Sequence, residues 1–340
     1  MIKLLETDTQ QILTSLSHDL PKLRDSRIVV TGASGFVGKW ITKVLMVANE
    51  QFSLNLHVLL IGGKTFSSMN RHNTKNFAFK SIDFSTAGNF LDFGFTHAFH
   101  ASTPSNIYSG SLDFVKTNLV ALNSMDFLLK DAIRSKIRPA IIHLSSGAVY
   151  AKSHDFDKQG LDENQPVRQF QEDVDYARTK LQLEELINEM NTQGIIYGSN
   201  ARLFAFSGPY LPLDAHFAIG NFMKNAIDGK PIQIFGNPST IRSYLYPVDL
   251  VILLMKILIE PRISVTNVGS KNPVTLEKVA KTVSKIFGRR DVVVSHQYSE
   301  PSSYFPSMFE AEKNYNFSEQ VSLEDGLIRW KKWLTSQPRI

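Results

Sequence analysis

A glycine-rich turn between a β-branched run and a helical pattern constrains the fold more than any other feature of this chain. Residues 27–31 read Arg-Ile-Val-Val-Thr, and residues 32–38 follow as Gly-Ala-Ser-Gly-Phe-Val-Gly. Residues 36–47 then have the periodicity of a helix. A glycine turn that follows a strand and opens a helix is typical of the first unit of a doubly wound α/β fold.

Each glycine of this turn meets a different steric requirement. Gly32 permits the tight turn, Gly35 leaves the backbone open to a pyrophosphate, and Gly38 lets the helix pack closely on the strand. The N-terminus of the helix adds unpaired N–H groups and a partial positive charge. The turn therefore predicts a dinucleotide site that is formed by Gly32, Ser34, Gly35, Phe36, Val37 and Gly38.

Short apolar strands and helices alternate along the chain as far as residue 206. Strands are predicted over residues 54–61, 77–82, 97–101, 140–144 and 195–206, and further helices over residues 114–133 and 176–190. This alternation favours parallel strands that are joined by crossover helices. The expected fold class is α/β, a Rossmann-type doubly wound parallel sheet with a smaller C-terminal α/β substrate-binding domain.

The same patterns predict how the chain is divided. The expected parts are an N-terminal helical extension (1–25), a dinucleotide-binding domain (26–208, with a returning segment at about 250–284) and a substrate-binding domain (209–249 and 285–340). The return is predicted because residues 265–268 resemble one more strand. We expect the extension to cover part of the core, and the alternative is that it binds a partner.

Composition excludes several classes of site and partner. Lys and Arg number 37 against 32 Asp and Glu, a net charge of +5 without a dense basic run, so no nucleic-acid partner is expected. The absence of cysteine excludes disulfides, thiolate metal sites and thiol catalysis. Acidic Glu6 and Asp8 argue against a signal peptide, and the most apolar stretch, residues 248–259, is too short to span a bilayer. We therefore expect a soluble cytoplasmic protein without a membrane partner.

No metal site is expected either. His97, His100 and His143 lie on predicted strands without a complete set of metal ligands. We interpret them as structural residues.

A tyrosine and a lysine at helical spacing point to proton transfer. Tyr176 and Lys180 lie one turn apart on one face of a predicted helix. A free tyrosine titrates near pH 10, but a nearby ammonium and an oxidised nicotinamide ring stabilise the phenolate. Ser146 ends the fifth predicted strand, at the carboxyl edge where such sheets bind ligands, and Ser145 is the alternative. We predict Ser146, Tyr176 and Lys180 as catalytic residues, with Tyr176 as general acid/base.

The residues after the second predicted strand bear on the choice between NAD and NADP. Many such folds have an acidic residue there that binds the ribose hydroxyls. Gly62 or Gly63 takes that place here, followed by Lys64 and later by Arg71. The missing carboxylate and the nearby cations favour NADP, with Lys64 as a cofactor ligand, and the alternative is a solvated Lys64.

The motifs together resemble those of the extended short-chain dehydrogenase/reductases that modify nucleotide-sugars, the NAD-dependent epimerase/dehydratase family. The resemblance covers residues 27–335. It is carried by TGASGFVG, HASTP at 100–104, Asn118 in VKTNLVALN, LSSGAVY, YARTK, Arg202 with Gly208-Pro209, GKPIQIFG at 229–236, RSYLYPVDL at 242–250, NVGS at 267–270 and SLEDGLIRWKKWL near the end.

The resemblance implies further site residues and partners. The cofactor, NAD or NADP, would contact Asp83 near the adenine, and Ala101, Ser102, Thr103, Asn118, Tyr176 and Lys180 towards the nicotinamide. A nucleotide-diphosphate sugar would contact Ser146, Ile234, Phe235 and, through its diphosphate, Arg242. A guanidinium suits bidentate phosphate binding on physical grounds as well. Relatives also imply a homodimer that is formed through the helices at 114–133 and 176–190, and the alternative is that the apolar positions of these helices face the sheet.

Two departures from the family pattern narrow the chemistry. Dehydratases of the family have an Asp-Glu pair after the catalytic hydroxyl residue, whereas this chain has Gly147 and Ala148, which move no proton. Dehydration and decarboxylation are therefore disfavoured, unless Glu172 or Asp173 supplies a displaced carboxylate. Epimerisation through oxidation at C4 and return of hydride, and one-way reduction of a 4-keto sugar by NADPH, both remain open.

The expected substrate contacts are incomplete. Ala205 stands where relatives often have an asparagine, and no second diphosphate-binding arginine is evident in residues 296–306. His216, Asn221 and Lys224 are candidates to replace them. Two other classes stay open, a non-catalytic NADP-binding regulator and a reductase of a non-nucleotide carbonyl compound.

Overall fold

The computed structural model of the chain describes residues 2–63, 74–86, 88, 91–103, 111–151, 160–168, 176–213, 217–288, 290–294 and 300–337. Its helices are α1 (Ile2–Ser15), α2 (Phe36–Gln51), α3 (Ser111–Ser135), α4 (Tyr176–Thr192), α5 (Ala218–Ile227), α6 (Pro247–Ile259), α7 (Leu276–Ile286), α8 (Phe309–Tyr315) and α9 (Leu323–Ser336). Its strands are β1 (Arg27–Thr31), β2 (His57–Gly62), β3 (Phe77–Ser81), β4 (His97–His100), β5 (Ala140–Ser146), β6 (Tyr197–Leu203), β7 (Ile232–Ile234), β8 (Ile241–Arg242), β9 (Val265–Val268), β10 (Val274–Thr275), β11 (Val292–Val294) and β12 (Ser303–Tyr304).

The main sheet is parallel throughout and has seven strands in the order β3-β2-β1-β4-β5-β6-β9. The chain winds outward in one direction from β1 to β3 and in the other from β4 to β9. The reversal between β1 and β4 opens a crevice at the carboxyl ends of the strands. The predicted α/β fold class, a doubly wound parallel sheet, is confirmed, and β9 lies at the edge of this sheet beside β6.

The prediction that the second strand begins at residue 54 is wrong by three residues. Leu54 and Leu56 are buried, which explains why the sequence looks like a strand there. Asn55 between them has a φ of 53°, in the left-handed region, and this breaks the extended backbone. The strand therefore begins at His57, where pairing with Arg27 of β1 starts.

Short strands after residue 209 form two small sheets. In one, β8 pairs antiparallel with β10 and parallel with β12, and in the other β11 pairs with β7. A separate apolar cluster that includes Phe222, Val279 and Trp330 packs beside them. The division of the chain into domains stays a prediction.

The most apolar helix is α6, which has 13 residues. Its Val251, Leu253 and Leu254 are fully buried in the cluster that lies against the main sheet. Within the described ranges, no helix has both the length and the apolar character that crossing a bilayer requires.

The N-terminal helix α1 packs on the core of the molecule, against α6, α2 and α9. Its Leu13 and the following Leu16 are fully buried. Asp8 is fully buried as well. Its carboxylate accepts a hydrogen bond from the Tyr246 hydroxyl at 2.7 Å and pairs with Arg329 at 2.7 Å. A buried carboxylate that is paired and hydrogen-bonded in this way ties the extension to α6 and α9.

We expect Leu13→Ala to lower the free energy of unfolding by about 2–5 kcal/mol, because the substitution leaves a cavity between α1 and the core. Urea denaturation followed by circular dichroism measures the change. Thr14→Ala is the matched control, because the Thr14 side chain is exposed on the same helix. Equal unfolding midpoints for the two variants would show that α1 contributes little to the fold.

Candidate active site

The glycine turn lies where β1, β4 and α2 meet. Gly32 has a φ of 67°, and a Cβ atom there would lie 2.3 Å from the Ala101 carbonyl oxygen. A Cβ at Gly38 would lie 2.3 Å from the Gly32 carbonyl oxygen. Ser34, Phe36 and Val37 are half-buried around the turn, and Phe36 stacks on Phe206 with ring centroids 5.8 Å apart. A side chain at Gly32 would push the turn away from Ala101, and a side chain at Gly38 would push α2 away from the turn.

The residues at this crevice fit a dinucleotide. Gly35 caps α2 without a side-chain hydrogen bond, so the first N–H groups of a 16-residue helix stay available to phosphate oxygens. The Oδ1 atom of Asn118 on α3 is buried and has no hydrogen-bond partner within the described part of the chain. A buried acceptor without a partner is costly unless a ligand satisfies it.

The structure places the other predicted cofactor residues at the ends of β3 and β4. Asp83 lies just after β3, is exposed and accepts hydrogen bonds from the backbone N–H and hydroxyl of Ser85 at 2.9 and 2.6 Å. Ala101, Ser102 and Thr103 follow β4 directly and are half-buried. Thr103 is brought to the lysine on α4, because its Oγ1 accepts from Lys180 Nζ at 2.9 Å.

Tyr176 and Lys180 lie on one face of α4, on its first and second turns. Lys180 is 2% exposed, and its Nζ also donates to the Leu144 carbonyl oxygen at 2.5 Å. The Nζ atom lies 5.5 Å from the centroid of the Tyr176 ring. Burial lowers the pKa of Lys180 to about 7, whereas the nearby Glu184 carboxylate acts to raise that pKa. The Lys180 ammonium therefore lies beside the Tyr176 phenol, and its hydrogen bonds to Thr103 and Leu144 hold it there.

The two serines at the end of β5 face different ways. Ser145 is 2% exposed and donates its hydroxyl proton to the Glu184 carboxylate. Ser146 caps the short helical turn Gly147–Val149, and its Oγ accepts from the Ala148 N–H at 3.2 Å. Side chains alternate along a strand, so the two serine side chains leave β5 in different directions. The Ser145 hydroxyl is bonded to Glu184, so Ser146 stays the predicted ligand-binding serine.

Glu184 joins α4 to β6 through a buried ion pair. Its Oε2 lies 2.7 Å from Arg202 Nη2, and the Arg202 Nε–H also donates to both carboxylate oxygens. The two side chains are only 7% and 4% exposed. Arg202 also lies 4.7 Å from the Tyr150 ring. Glu184 was not predicted as a site residue, although its place two turns after Tyr176, on the same helical face as Lys180, was a usable signal.

The predicted structural histidines lie under this site. His100 and His143 share a hydrogen bond between their Nδ1 atoms at 2.8 Å, and His100 Nε2 lies 2.8 Å from Ser124 Oγ. Burial lowers the pKa of His100 to about 3 and that of His97 to about 4, so both are neutral near pH 7. No group of three His, Cys, Asp or Glu side chains among the described residues suits a metal ion.

The predicted substrate residues lie on the small sheets and α5. Arg242 on β8 is half-buried and donates to the Ile241 carbonyl oxygen at 2.7 Å and to Ser302 at 3.1 and 3.2 Å. Phe235, just after β7, is 69% exposed. Asn221 lies on α5. An exposed aromatic ring and a preorganised guanidinium suit a base and a diphosphate.

Tyr304 on β12 connects the predicted substrate side to the predicted catalytic residues. Its ring centroid lies 4.7 Å from that of Phe204, and Arg242 Cζ lies 5.8 Å from the same Tyr304 ring. Burial raises the pKa of Tyr304, and Ser146 and Tyr176 lie close enough to influence that pKa. Tyr304 was not predicted as a site residue, because nothing in the loop-rich segment around it showed which residues it would approach.

Five residues that the sequence analysis named lie outside the described residues. These are Lys64, Arg71, Glu172, Asp173 and His216. The preference for NADP and the displaced carboxylate therefore stay predictions.

Comparison with known proteins supplies the family. The family described as "NAD dependent epimerase/dehydratase family" matches residues 28–269. A trifunctional UDP-glucose 4,6-dehydratase/UDP-4-keto-6-deoxy-D-glucose 3,5-epimerase/UDP-4-keto-L-rhamnose-reductase of Arabidopsis thaliana is 25% identical over 329 residues, which cover 93% of this chain and 48% of that protein. This chain spans about half the length of that relative.

Solved structures resemble the fold over nearly the whole chain. An epimerase from Methanothermobacter thermautotrophicus has a TM-score of 0.78 at 21% identity, covering 95% of this chain and 96% of that one. A UDP-glucuronic acid 4-epimerase from Bacillus cereus, solved with UDP-glucuronic acid and NAD, has a TM-score of 0.73 at 23% identity, covering 91% and 99%. Because the family match runs from β1 to the end of β9, the chain belongs to the NAD dependent epimerase/dehydratase family, the extended short-chain dehydrogenase/reductases that modify nucleotide-sugars.

Proposed function

We propose that this enzyme is an NAD(P)-dependent nucleotide-sugar epimerase or 4-ketoreductase in which Tyr176 is the general acid/base. The observation that carries the proposal is the buried Lys180 ammonium 5.5 Å from the Tyr176 ring, beside the glycine turn. A nicotinamide dinucleotide bound there supplies a hydride donor or acceptor. The turn residues, Thr103 and Asn118 would hold it.

The proposed chemistry at the sugar is a proton transfer that accompanies a change in oxidation state at C4. Tyr176 takes the proton of the C4 hydroxyl in the oxidative direction and returns it in the reductive direction. Lys180 stabilises the phenolate between these events. Ser146 hydrogen-bonds the same sugar oxygen and orients it.

A nucleotide-diphosphate sugar is the proposed substrate. The Bacillus cereus relative was solved with UDP-glucuronic acid, and the plant relative acts on UDP-sugars. Arg242 is proposed to bind the diphosphate, and exposed Phe235 and half-buried Asn221 the nucleoside side. A diphosphate needs a cationic partner such as Arg242, whereas a small neutral carbonyl compound does not. Arg242 therefore supports a nucleotide-diphosphate sugar over a small neutral carbonyl compound.

Dehydration and decarboxylation are not part of the proposal. Gly147 and Ala148 carry no acid, and a Cβ at Gly147 would lie 2.6 Å from Phe204 Cζ. A carboxylate side chain at position 147 would therefore displace the Phe204 ring. Hydride chemistry at a single ring carbon needs no such acid.

A homodimer formed through α3 and α4 belongs to the proposal as well. It is supported by Leu119 and Ile133 of α3, which are 42% and 58% exposed. Large apolar side chains that are exposed on one helix indicate a surface that another chain covers.

The experiment that tests the function is a substrate screen with product analysis. The purified protein is incubated with UDP-, dTDP-, CDP- and GDP-hexoses and their 4-keto forms, and products are identified by NMR. Mass analysis of extracted cofactor separates the two versions: retained NAD with epimer formation supports epimerisation, and NADPH consumption with a 4-keto sugar supports reduction. Cofactor binding without conversion of any nucleotide-sugar would instead support a non-catalytic regulator.

A further inference from the structure

Arg242 is a half-buried cation whose hydrogen-bond partners are neutral. Its guanidinium donates to the carbonyl oxygens of Ile241 and Ser302 and to the hydroxyl oxygen of Ser302. Within the described ranges, no carboxylate forms an ion pair with it. Neutral oxygen atoms orient a guanidinium but do not balance its charge, so the group still favours an anionic ligand.

A guanidinium binds an anion through one of two edges, because its five N–H groups point in fixed directions. The side edge consists of Nε–H and one N–H of Nη2, and the end edge consists of one N–H each of Nη1 and Nη2. Arg202 uses its side edge, since its Nε and Nη2 both donate to the Glu184 carboxylate. The buried pair therefore shows one way in which an arginine of this chain binds an oxyanion.

In Arg242 the end edge is taken by a single residue, Ser302. The Ser302 carbonyl oxygen accepts from Nη1 at 3.2 Å, and its hydroxyl oxygen accepts from Nη2 at 3.1 Å. The Ile241 carbonyl oxygen accepts from Nη1 as well, at 2.7 Å. These bonds leave the side edge, Nε–H and the second N–H of Nη2, without an acceptor in the described part of the chain.

Strand pairing fixes the position of Ser302. Its carbonyl oxygen also accepts from the Ile241 N–H at 2.8 Å, and the next two residues, Ser303 and Tyr304, pair with Ile241 and Arg242. The Tyr304 ring lies 5.8 Å from Arg242 Cζ. A partner that the backbone holds in place orients the guanidinium before a ligand arrives, and this lowers the entropic cost of binding.

We propose that Ser302 is a positioning residue, which holds the end edge of Arg242 so that the side edge binds one phosphate group of the substrate. This inference rests on the proposed function, because the phosphate belongs to a nucleotide-diphosphate sugar. A phosphate accepts two parallel hydrogen bonds from such a fork, whereas a lysine offers only a point charge. Residues 296–306 contain no arginine, so this segment assists phosphate binding through Ser302 instead.

Calorimetric titration with UDP, dTDP, CDP and GDP tests the inference without turnover. For the nucleoside diphosphate that binds most tightly to the native protein, we expect Ser302→Ala to raise Kd by about 3–10-fold, because Arg242 loses one hydrogen bond that orients it. Ser302→Thr keeps a hydroxyl, so its Kd should stay within about twofold of the native value. Ser303→Ala is the matched control, because it removes a hydroxyl from the adjacent residue and leaves Ser302 intact.

A double-mutant cycle shows whether Ser302 acts through Arg242. Arg242→Lys removes the fork, and we expect it to raise Kd by about 10–100-fold. In that background Ser302→Ala should change Kd by less than about twofold, because the group that it positions is gone. An unchanged Kd in Ser302→Ala alone, or equal losses in both backgrounds, overturns the inference.

Steady-state kinetics with a converted nucleotide-sugar gives a second readout. The phosphate is bound equally in the ground state and in the transition state, so Ser302→Ala should raise KM by a similar factor and leave kcat nearly unchanged. A fall in kcat with unchanged KM overturns the inference, because Ser302 would then act on the reacting carbon rather than on the phosphate.

Arginine NMR separates the inference from the proposed function. In protein labelled with ¹⁵N-arginine, the signals that are absent from Arg242→Lys belong to Arg242. We expect separate Nη1 and Nη2 signals in the native protein and in Ser303→Ala, and averaged signals in Ser302→Ala, because Ser302 holds both nitrogens. Averaged signals in the native protein overturn the inference.

Two combined outcomes show which of the two proposals fails. Separate signals in a protein that binds none of the four nucleoside diphosphates overturn the proposed substrate class, together with phosphate as the ligand of Arg242. Binding that Ser302→Ala weakens, in a protein that converts no nucleotide-sugar, overturns the proposed activity and supports the role of Ser302.

Discussion

Replacing Tyr176 with phenylalanine is expected to reduce turnover by about 10²–10⁴-fold while the dinucleotide stays bound. The phenol is the one group beside Lys180 that the proposed chemistry requires to exchange a proton. Its ring stays in the variant, so packing against the first turn of α4 is preserved. Lys180 also keeps its bonds to Leu144 and Thr103, so the cofactor side of the site is not altered.

Product formation from the best nucleotide-sugar and the cofactor content of the purified variant are the two measurements. Tyr197→Phe is the control, because Tyr197 is 49% exposed at the opposite, amino end of β6. Turnover of Tyr176→Phe at the native rate would eliminate Tyr176 as the general acid/base. Loss of cofactor together with turnover would mean that Tyr176 serves mainly in binding.

Glu184→Gln is expected to lower the free energy of unfolding by about 3–5 kcal/mol, because it leaves the buried Arg202 guanidinium without its counter-charge. The pair is 2.7 Å apart and both side chains are almost inaccessible to water. Urea denaturation gives the change, with Glu185→Gln as control, since Glu185 is the exposed neighbour on the same helix. Equal midpoints for the two variants would show that the ion pair contributes no net stability.

The same substitution is expected to move the pH dependence of catalysis. Burial lowers the pKa of Lys180 to about 7, and the Glu184 carboxylate opposes this decrease. Above its pKa the lysine is neutral and no longer stabilises the Tyr176 phenolate, so kcat/KM should fall as the pH rises through that value. Without the carboxylate the pKa of Lys180 decreases further, and the alkaline decline begins at a lower pH. An unmoved decline would mean that another group causes it.

Neighbouring charges support the direction of that shift. His100 and His143 lie close enough to interact electrostatically with Lys180, and burial holds the pKa of each well below neutrality. Both imidazoles are therefore uncharged where Lys180 titrates. Arg202 stays cationic in Glu184→Gln, and its uncompensated charge lowers the pKa of Lys180 as well.

Local rules explain why much of the fold and some of the site were predictable. Gly32 has a backbone conformation in the left-handed region and lies in close contact with Ala101. Both conditions favour a residue without a side chain, so the position is recognisable in the sequence as a glycine. Tyr176 and Lys180 meet because four residues make about one helical turn. Ser146 lies near them because all the strands of a parallel sheet end at the same edge.

The sequence by itself therefore determined the doubly wound sheet, the glycine turn and the spacing of Tyr176 and Lys180, because each depends on backbone preferences within a few residues. Only the tertiary structure decided that Glu184 pairs with Arg202 and that the Tyr304 hydroxyl lies beside Gly147. Those contacts join segments that are distant along the chain, and their geometry follows from how helices and small strands pack on the main sheet. No local pattern encodes such packing, because it depends on the shapes of both partners at once.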